Sequence, residues 1–281
     1  MKKNYLLILL MAILFFTSCK TPSYYLSPLN SNSNYYHTIP LKSDSEKAAT
    51  YASGAFLAGR SNFSWRDAVT AFQGDIHRSN NFGNFQAFYG TNITLGKYSV
   101  QQNNIVRYRY DSSATYYDHY DTLAIPSSGK FFGAFGFSGG INYVGQFKNG
   151  GECRMGIEAS LNKEFGNYLS FRKALPDSLI DILEKNNWIK TFGVYFDFVF
   201  KTKHNIRIGY KIALGGSVVS AATYLGRQNN ITPIYFSQTF HVTHQQFTWF
   251  GQSNLGTYAA SLQFGVNYNW GQKSKNYKPL W

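Results

Sequence analysis

The chain has 281 residues, with only 15% charged, 18% aromatic, 24 Phe, 22 Tyr and 25 Gly, where a soluble domain averages about 25% charged. Mean hydropathy is −0.29, and beyond the first 18 residues no apolar run approaches the roughly 20 residues of a membrane helix, which excludes a helical membrane protein. The formal net charge of +13 comes from scattered Lys and Arg with no basic helix or nucleic-acid motif, so nucleic acid is not the expected partner; anionic lipid headgroups and glycolipid phosphates are, with a generally solvated basic surface as the alternative.

Residues 1–18 read as a signal peptide: Lys2 and Lys3 form a charged start, and an apolar run over 5–16 follows that is too short to span a membrane. Phe16-Thr17-Ser18-Cys19 comes next. This order resembles the bacterial lipobox, although Phe16 stands where Leu is usual. The resemblance implies that Cys19 becomes a lipidated (palmitate-type) N-terminus. Richness in Phe, Tyr and Asn is similar to that of Bacteroidota envelope proteins, and Lys20-Thr21-Pro22-Ser23 lacks the acidic residues that often follow the cysteine of surface-exported lipoproteins in that group. The resemblance therefore places the anchor on the periplasmic side. Cys153 is the second of two cysteines; with Cys19 acylated no internal disulfide remains, and Cys153 reads as a small hydrophobe. Residues 19–46, rich in Ser, Asn, Tyr and Pro without a sustained period, read as a flexible tether.

The remainder alternates with period two. In the stretch from Phe131 to Phe147, the residues Phe131, Phe135, Phe137, Ile141, Tyr143 and Phe147 share one face, while Ala134, Gly136, Ser138, Gly140, Asn142 and Gln146 share the other. Such strands, longer than the usual globular 5–6 residues, predict an all-β, up-and-down antiparallel transmembrane β-barrel with its aromatic side outward; a secreted β-sandwich is the alternative. Eight strands are expected at about 47–60, 66–79, 82–97, 131–147, 152–166, 188–202, 205–222 and 255–271. A further hairpin within 234–250 would make ten. The barrel then occupies 47–271, followed by a basic tail at 272–281. Short connections at 79–81, 148–151 and 203–204 alternate with long ones at 98–130, 167–187 and 223–254, so both barrel ends fall on the short-turn, periplasmic side. Residues 176–188, with Leu179, Ile180, Ile182 and Leu183 among charges, read as a short amphipathic loop helix that caps the mouth, rests on the membrane or meets a partner.

Charges on the opposite phase should point inward, because a lipid-facing charge near the midplane costs about 2–4 kcal/mol. Asp67, Asp75, Arg154, Glu158, Asp197, Arg207 and Lys211 form the expected interior network, with Asp197 among Arg154, Lys211 and Glu158; a structural salt-bridge plug is favoured over a catalytic carboxylate. No cofactor is expected. For metal, only His241 with His244 and His119 beside Asp118 and Asp121 stand out, and they are weak candidates. No Gly-x-Ser-x-Gly element occurs, so an enzyme, such as a lipid-modifying one, is not the leading reading. Arg107, Tyr108, Arg109, Tyr110, Tyr116, Tyr117 and Tyr120 are candidate binding residues of a loop. In architecture the mature chain resembles the small outer-membrane barrels of the OmpA/OmpX type. The expected role is an outer-membrane lipoprotein acting as a structural or accessory subunit of an envelope complex with a protein partner. A surface binder of glycolipid or a small ligand is the alternative.

Overall fold

The computed structural model describes residues 23–32, 35–42, 47–62, 66–109, 119–148, 150–202, 206–223 and 228–270. Residues 1–18, expected to be a signal peptide, Cys19 and the expected basic tail at 272–281 lie outside them, as do Tyr110, Tyr116 and Tyr117. Ten long strands follow from the alternation: β1 (Ala48–Ser61), β2 (Asp67–Phe82), β3 (Phe85–Val100), β4 (Ser128–Gln146), β5 (Glu152–Phe165), β6 (Trp188–Lys201), β7 (Arg207–Thr223), β8 (Ile234–His244), β9 (Phe247–Gly256) and β10 (Ala259–Asn269). Each pairs antiparallel with its neighbours, and β10 pairs with β1 through Leu262↔Ala58 and Phe264↔Phe56. The sheet is therefore a closed barrel without edges.

The two faces differ as a membrane wall requires. Phe135, Phe137, Ile141, Phe192, Val194, Phe196, Leu262 and Phe264 face outward and are exposed, whereas Gln73, Asn142, Ser217, Gln252, Asn254, Gln263 and Asn267 face inward and are buried. Apolar out and polar in, with long strands and every backbone edge paired, is the transmembrane β-barrel of outer-membrane type. Cys153 is free and half-buried.

The strand count is ten where the simplest reading gave eight, because the expected long connection at 223–254 folds in large part into the hairpin of β8 and β9, joined at Gln245 with φ 55°. Connections sort by end. The β2–β3, β4–β5, β6–β7 and β8–β9 turns lie at the end where β1 starts and β10 stops. The opposite end carries the long connections at 101–127 and 166–187. Within the first of these, Asn103–Arg109 and His119–Ile125 form a separate two-stranded sheet.

Helix α1 is Asn167–Ala174, one element earlier than the 176–188 reading. Leu175 is already extended at ψ 141° because it precedes Pro176. Ile182–Leu183, read as part of a helix, is instead a two-residue strand. It pairs in parallel with Tyr24–Tyr25 and antiparallel with Ala222 and Thr223 of β7.

The largest departure concerns the expected tether. Ser23, Tyr25, Leu26, Ser27, Leu29, Asn30, Ser31, Asn32, Tyr35, Tyr36, His37, Thr38, Ile39 and Leu41 are all buried. This segment threads the lumen from the long-connection end to the short-turn end before β1 begins. The reason is geometric. An eight-stranded barrel is filled by its own side chains, and each added strand widens it; ten strands with small inward residues leave a polar channel that a Ser, Asn and Tyr segment can line with hydrogen bonds.

Candidate functional site in the barrel lumen

Contacts along the threaded segment run in order down the wall. At the long-connection mouth, Ser23 N donates to Asp181 Oδ2 at 2.6 Å, and Asp181 also holds Arg107 at 2.6 Å. Glu184 Oε2 accepts from Ser27 N and Asn30 Nδ2, both at 2.8 Å. Arg172 bridges Glu164 at 2.5 Å and Glu184 at 3.1 Å. Tyr168 from α1 stacks on Tyr98 with centroids 3.9 Å apart, and its hydroxyl donates to Leu26 O at 3.1 Å. Helix, loop and segment thus form one cap. Burial works against the Arg172 cation, but the two carboxylates more than offset it and hold its pKa above the ordinary guanidinium value. Burial raises the Glu184 pKa, Arg172 opposes that rise, and the Glu164 carboxylate adds to it, since one guanidinium serves two acids.

Midway, Ser217 Oγ donates to Asn30 O at 2.5 Å and Gln73 Nε2 to Asn32 O at 3.0 Å. Ser261 Oγ bonds Asn32 Oδ1 at 2.5 Å, and Tyr35 pairs with Thr94 at 2.6 Å. Lower down, Arg154 donates to the carbonyls of Ile39 and Pro40 at 3.2 and 3.3 Å, and Gln86 to Pro40 O at 2.9 Å. Lys42 closes the run at the short-turn end, its amide on Glu152 Oε1 at 2.5 Å and its ammonium on Asn84.

The interior charges sort into three groups. Asp197 faces Arg154 and Lys211 on the neighbouring strands; Arg154 bridges it at 3.3 Å and Glu152 at 3.2 Å, and Lys211 bridges Glu158 at 2.7 Å. His241 completes this group at 3.0 Å from Asp197. Gly209 makes room for that ring: a Cβ there would lie 2.1 Å from His241 Cε1. Asp75 belongs to a second group, 3.4 Å from His37 and 3.0 Å from His77, while Ser53 donates to it at 2.5 Å. Asp67 stands apart at the mouth, accepting from Tyr98, Gln101 N and Asn62 at 2.9, 2.8 and 3.3 Å. Arg207 is half-buried near the short turns, opposite Lys201 and Thr243 on the neighbouring strands.

His241 and His244 cannot form a metal pair. Residues three apart on a strand point to opposite faces, and His241 is turned to the lumen on Asp197. His119 lies in the outer hairpin opposite Arg109, with Asp118 outside the described residues. Among the described residues, the donor set that converges is His37, Asp75 and His77, whose ligand atoms all lie within 4.8 Å of one another. Nitrogen and carboxylate donors of this kind suit a zinc-like ion. Their hydrogen bonds to Ser138, Ser53 and the Thr38 carbonyl also make them a clamp between segment and wall. Sequence reading missed His37 because it fell within the supposed tether, Arg172 and Glu184 because they lie in a long connection with no strand phase, and Glu152 although it shares the inward phase of Arg154 and Glu158.

Of the candidate loop residues, Arg107 is tied inward to Asp181 and the Leu179 carbonyl, while Tyr108 and Tyr120 are opposed across the hairpin.

No family model matches the chain, and no curated protein does either. Solved structures with a similar fold include the β domain of the Bordetella autotransporter BrkA, at 11% identity over 80% of this chain and 100% of that one, TM-score 0.41. The translocator domain of autotransporter NalP from Neisseria meningitidis gives 11% over 81% and 90%, TM-score 0.41. The transport unit of the autotransporter AIDA-I from Escherichia coli gives 10% over 85% and 95%, TM-score 0.37. At such identities and TM-scores these neighbours inform neither mechanism nor partners.

Proposed function

We propose that this protein is an outer-membrane lipoprotein whose self-filled barrel acts as a structural or accessory subunit of an envelope complex. The observation that carries the reading is the filled lumen. The described residues of segment 23–41 occupy the lumen from one mouth to the other, which works against an open solute path, and Glu184, Asp75, Arg154 and Glu152 are engaged in holding it. What remains for outside contact is the long-connection mouth, capped by α1 and the 103–125 hairpin. Loops held on a rigid scaffold are where binding residues concentrate. A partner protein is the expected occupant, and the interior carboxylates serve structure, not turnover.

The test is purification in mild detergent with and without the hairpin 103–125 replaced by a short turn. Stoichiometric envelope proteins should accompany the intact chain and be lost with the hairpin. Recovery of the intact chain alone, with ion conductance in planar bilayers, would overturn the reading.

A further inference from the structure

We infer that the N-terminal end of the threaded segment emerges on the cell-surface side, so that an acyl group on Cys19 would lie in the outer leaflet. The lipid part rests on the lipoprotein reading above; the direction of threading does not.

Three observations carry it. First, the segment has a fixed direction. Ser23 is held at the long-connection mouth by Asp181, with Tyr24–Tyr25 paired to Ile182–Leu183, and Lys42 is held at the short-turn end by Glu152 and Asn84. Second, barrels of this type place short turns in the periplasm and long connections outside. Both barrel ends lie at the short-turn end here, yet the chain ahead of β1 has already crossed the barrel once. The side of the N-terminus is therefore opposite to that expected from strand parity alone. Third, the chain cannot return. Cys19 is four residues before Ser23, a reach of at most roughly 14 Å, against an apolar wall about 25 Å tall. The lumen is occupied, and the outer wall is apolar. An acyl chain attached there finds only the leaflet beside the long-connection mouth.

The experiment uses the full chain with Cys153→Ser and single reporters Pro22→Cys, Ser178→Cys and Lys148→Cys. Each is probed in intact cells with a membrane-impermeant maleimide, with a heat-shifted band on gels as the check of folding. Pro22→Cys and Ser178→Cys should label in intact cells, and Lys148→Cys only after lysis. Labelling of Lys148→Cys in intact cells with Pro22→Cys protected would overturn the inference, as would protection of Pro22→Cys while Ser178→Cys labels. Lipidation is read separately, by metabolic incorporation of an alkyne fatty acid that Cys19→Ala abolishes. If no label enters and Cys19 itself reacts with maleimide in intact cells, the outer-leaflet anchor is overturned while the threading direction stands.

Discussion

Arg154 Nη2 donates to the Pro40 carbonyl at 3.3 Å, a bond from the barrel wall to the segment that fills it. The same guanidinium bridges Asp197 and Glu152. One side chain therefore pairs with two interior carboxylates and also holds the segment, which couples this part of the charge network to the threading.

Asp197→Ala should lower barrel stability by about 1–3 kcal/mol, the usual cost of leaving buried polar groups short of a partner, because Arg154 and His241 both lose an acceptor while Arg154 keeps Glu152. The unheated, compact band on a gel should disappear at a lower temperature than for wild type. An unchanged heat shift and melting temperature would contradict this.

Gly209→Ala should destabilise by about 1–3 kcal/mol, as overpacking does, by pushing His241 off Asp197. In a double-mutant cycle its effect should shrink in an Asp197→Asn background, since the contact it disturbs is already weakened. Full additivity would show that the ring does not depend on that glycine.

The cap should respond to pH through Glu184. Its folded pKa lies above the ordinary carboxylate value because of burial. A raised folded pKa means that its stabilising contribution is fully present below the unfolded value of about 4.3 and is lost as pH rises through the folded value. Glu184→Gln removes that term, so the melting temperature of wild type relative to the variant should fall as pH rises from about 4 to 8. A relative gain for wild type over that range would contradict it.

The barrel was legible because alternation is a local property. The outward Phe192, Val194, Phe196 and Phe200 of β6 read straight from the sequence, and so did Asp197 between Arg154 and Lys211, once the short turn fixed the register. The threaded segment was not legible. Its partners, such as Asn32 with Ser261 or Thr38 with His77, lie far apart in sequence, and a polar segment lining a polar channel has no period to betray it. The helix was misplaced because the apolar run around Ile180 and Leu183 is buried under the cap instead of forming a helix face, and Pro176 sets a boundary that the hydrophobic spacing does not show.

Threading itself is tested most directly by a disulfide between segment and wall. In a Cys153→Ser background, Asn32→Cys with Ser261→Cys replaces two side chains that now touch, Asn32 Oδ1 standing 2.5 Å from Ser261 Oγ. Mild oxidation of the folded protein in detergent should cross-link the pair as readily as the wall-to-wall control Asn254→Cys with Ser261→Cys, giving a redox-dependent gel shift. A control that cross-links while the Asn32 pair stays reduced would place the segment outside the lumen and contradict the account.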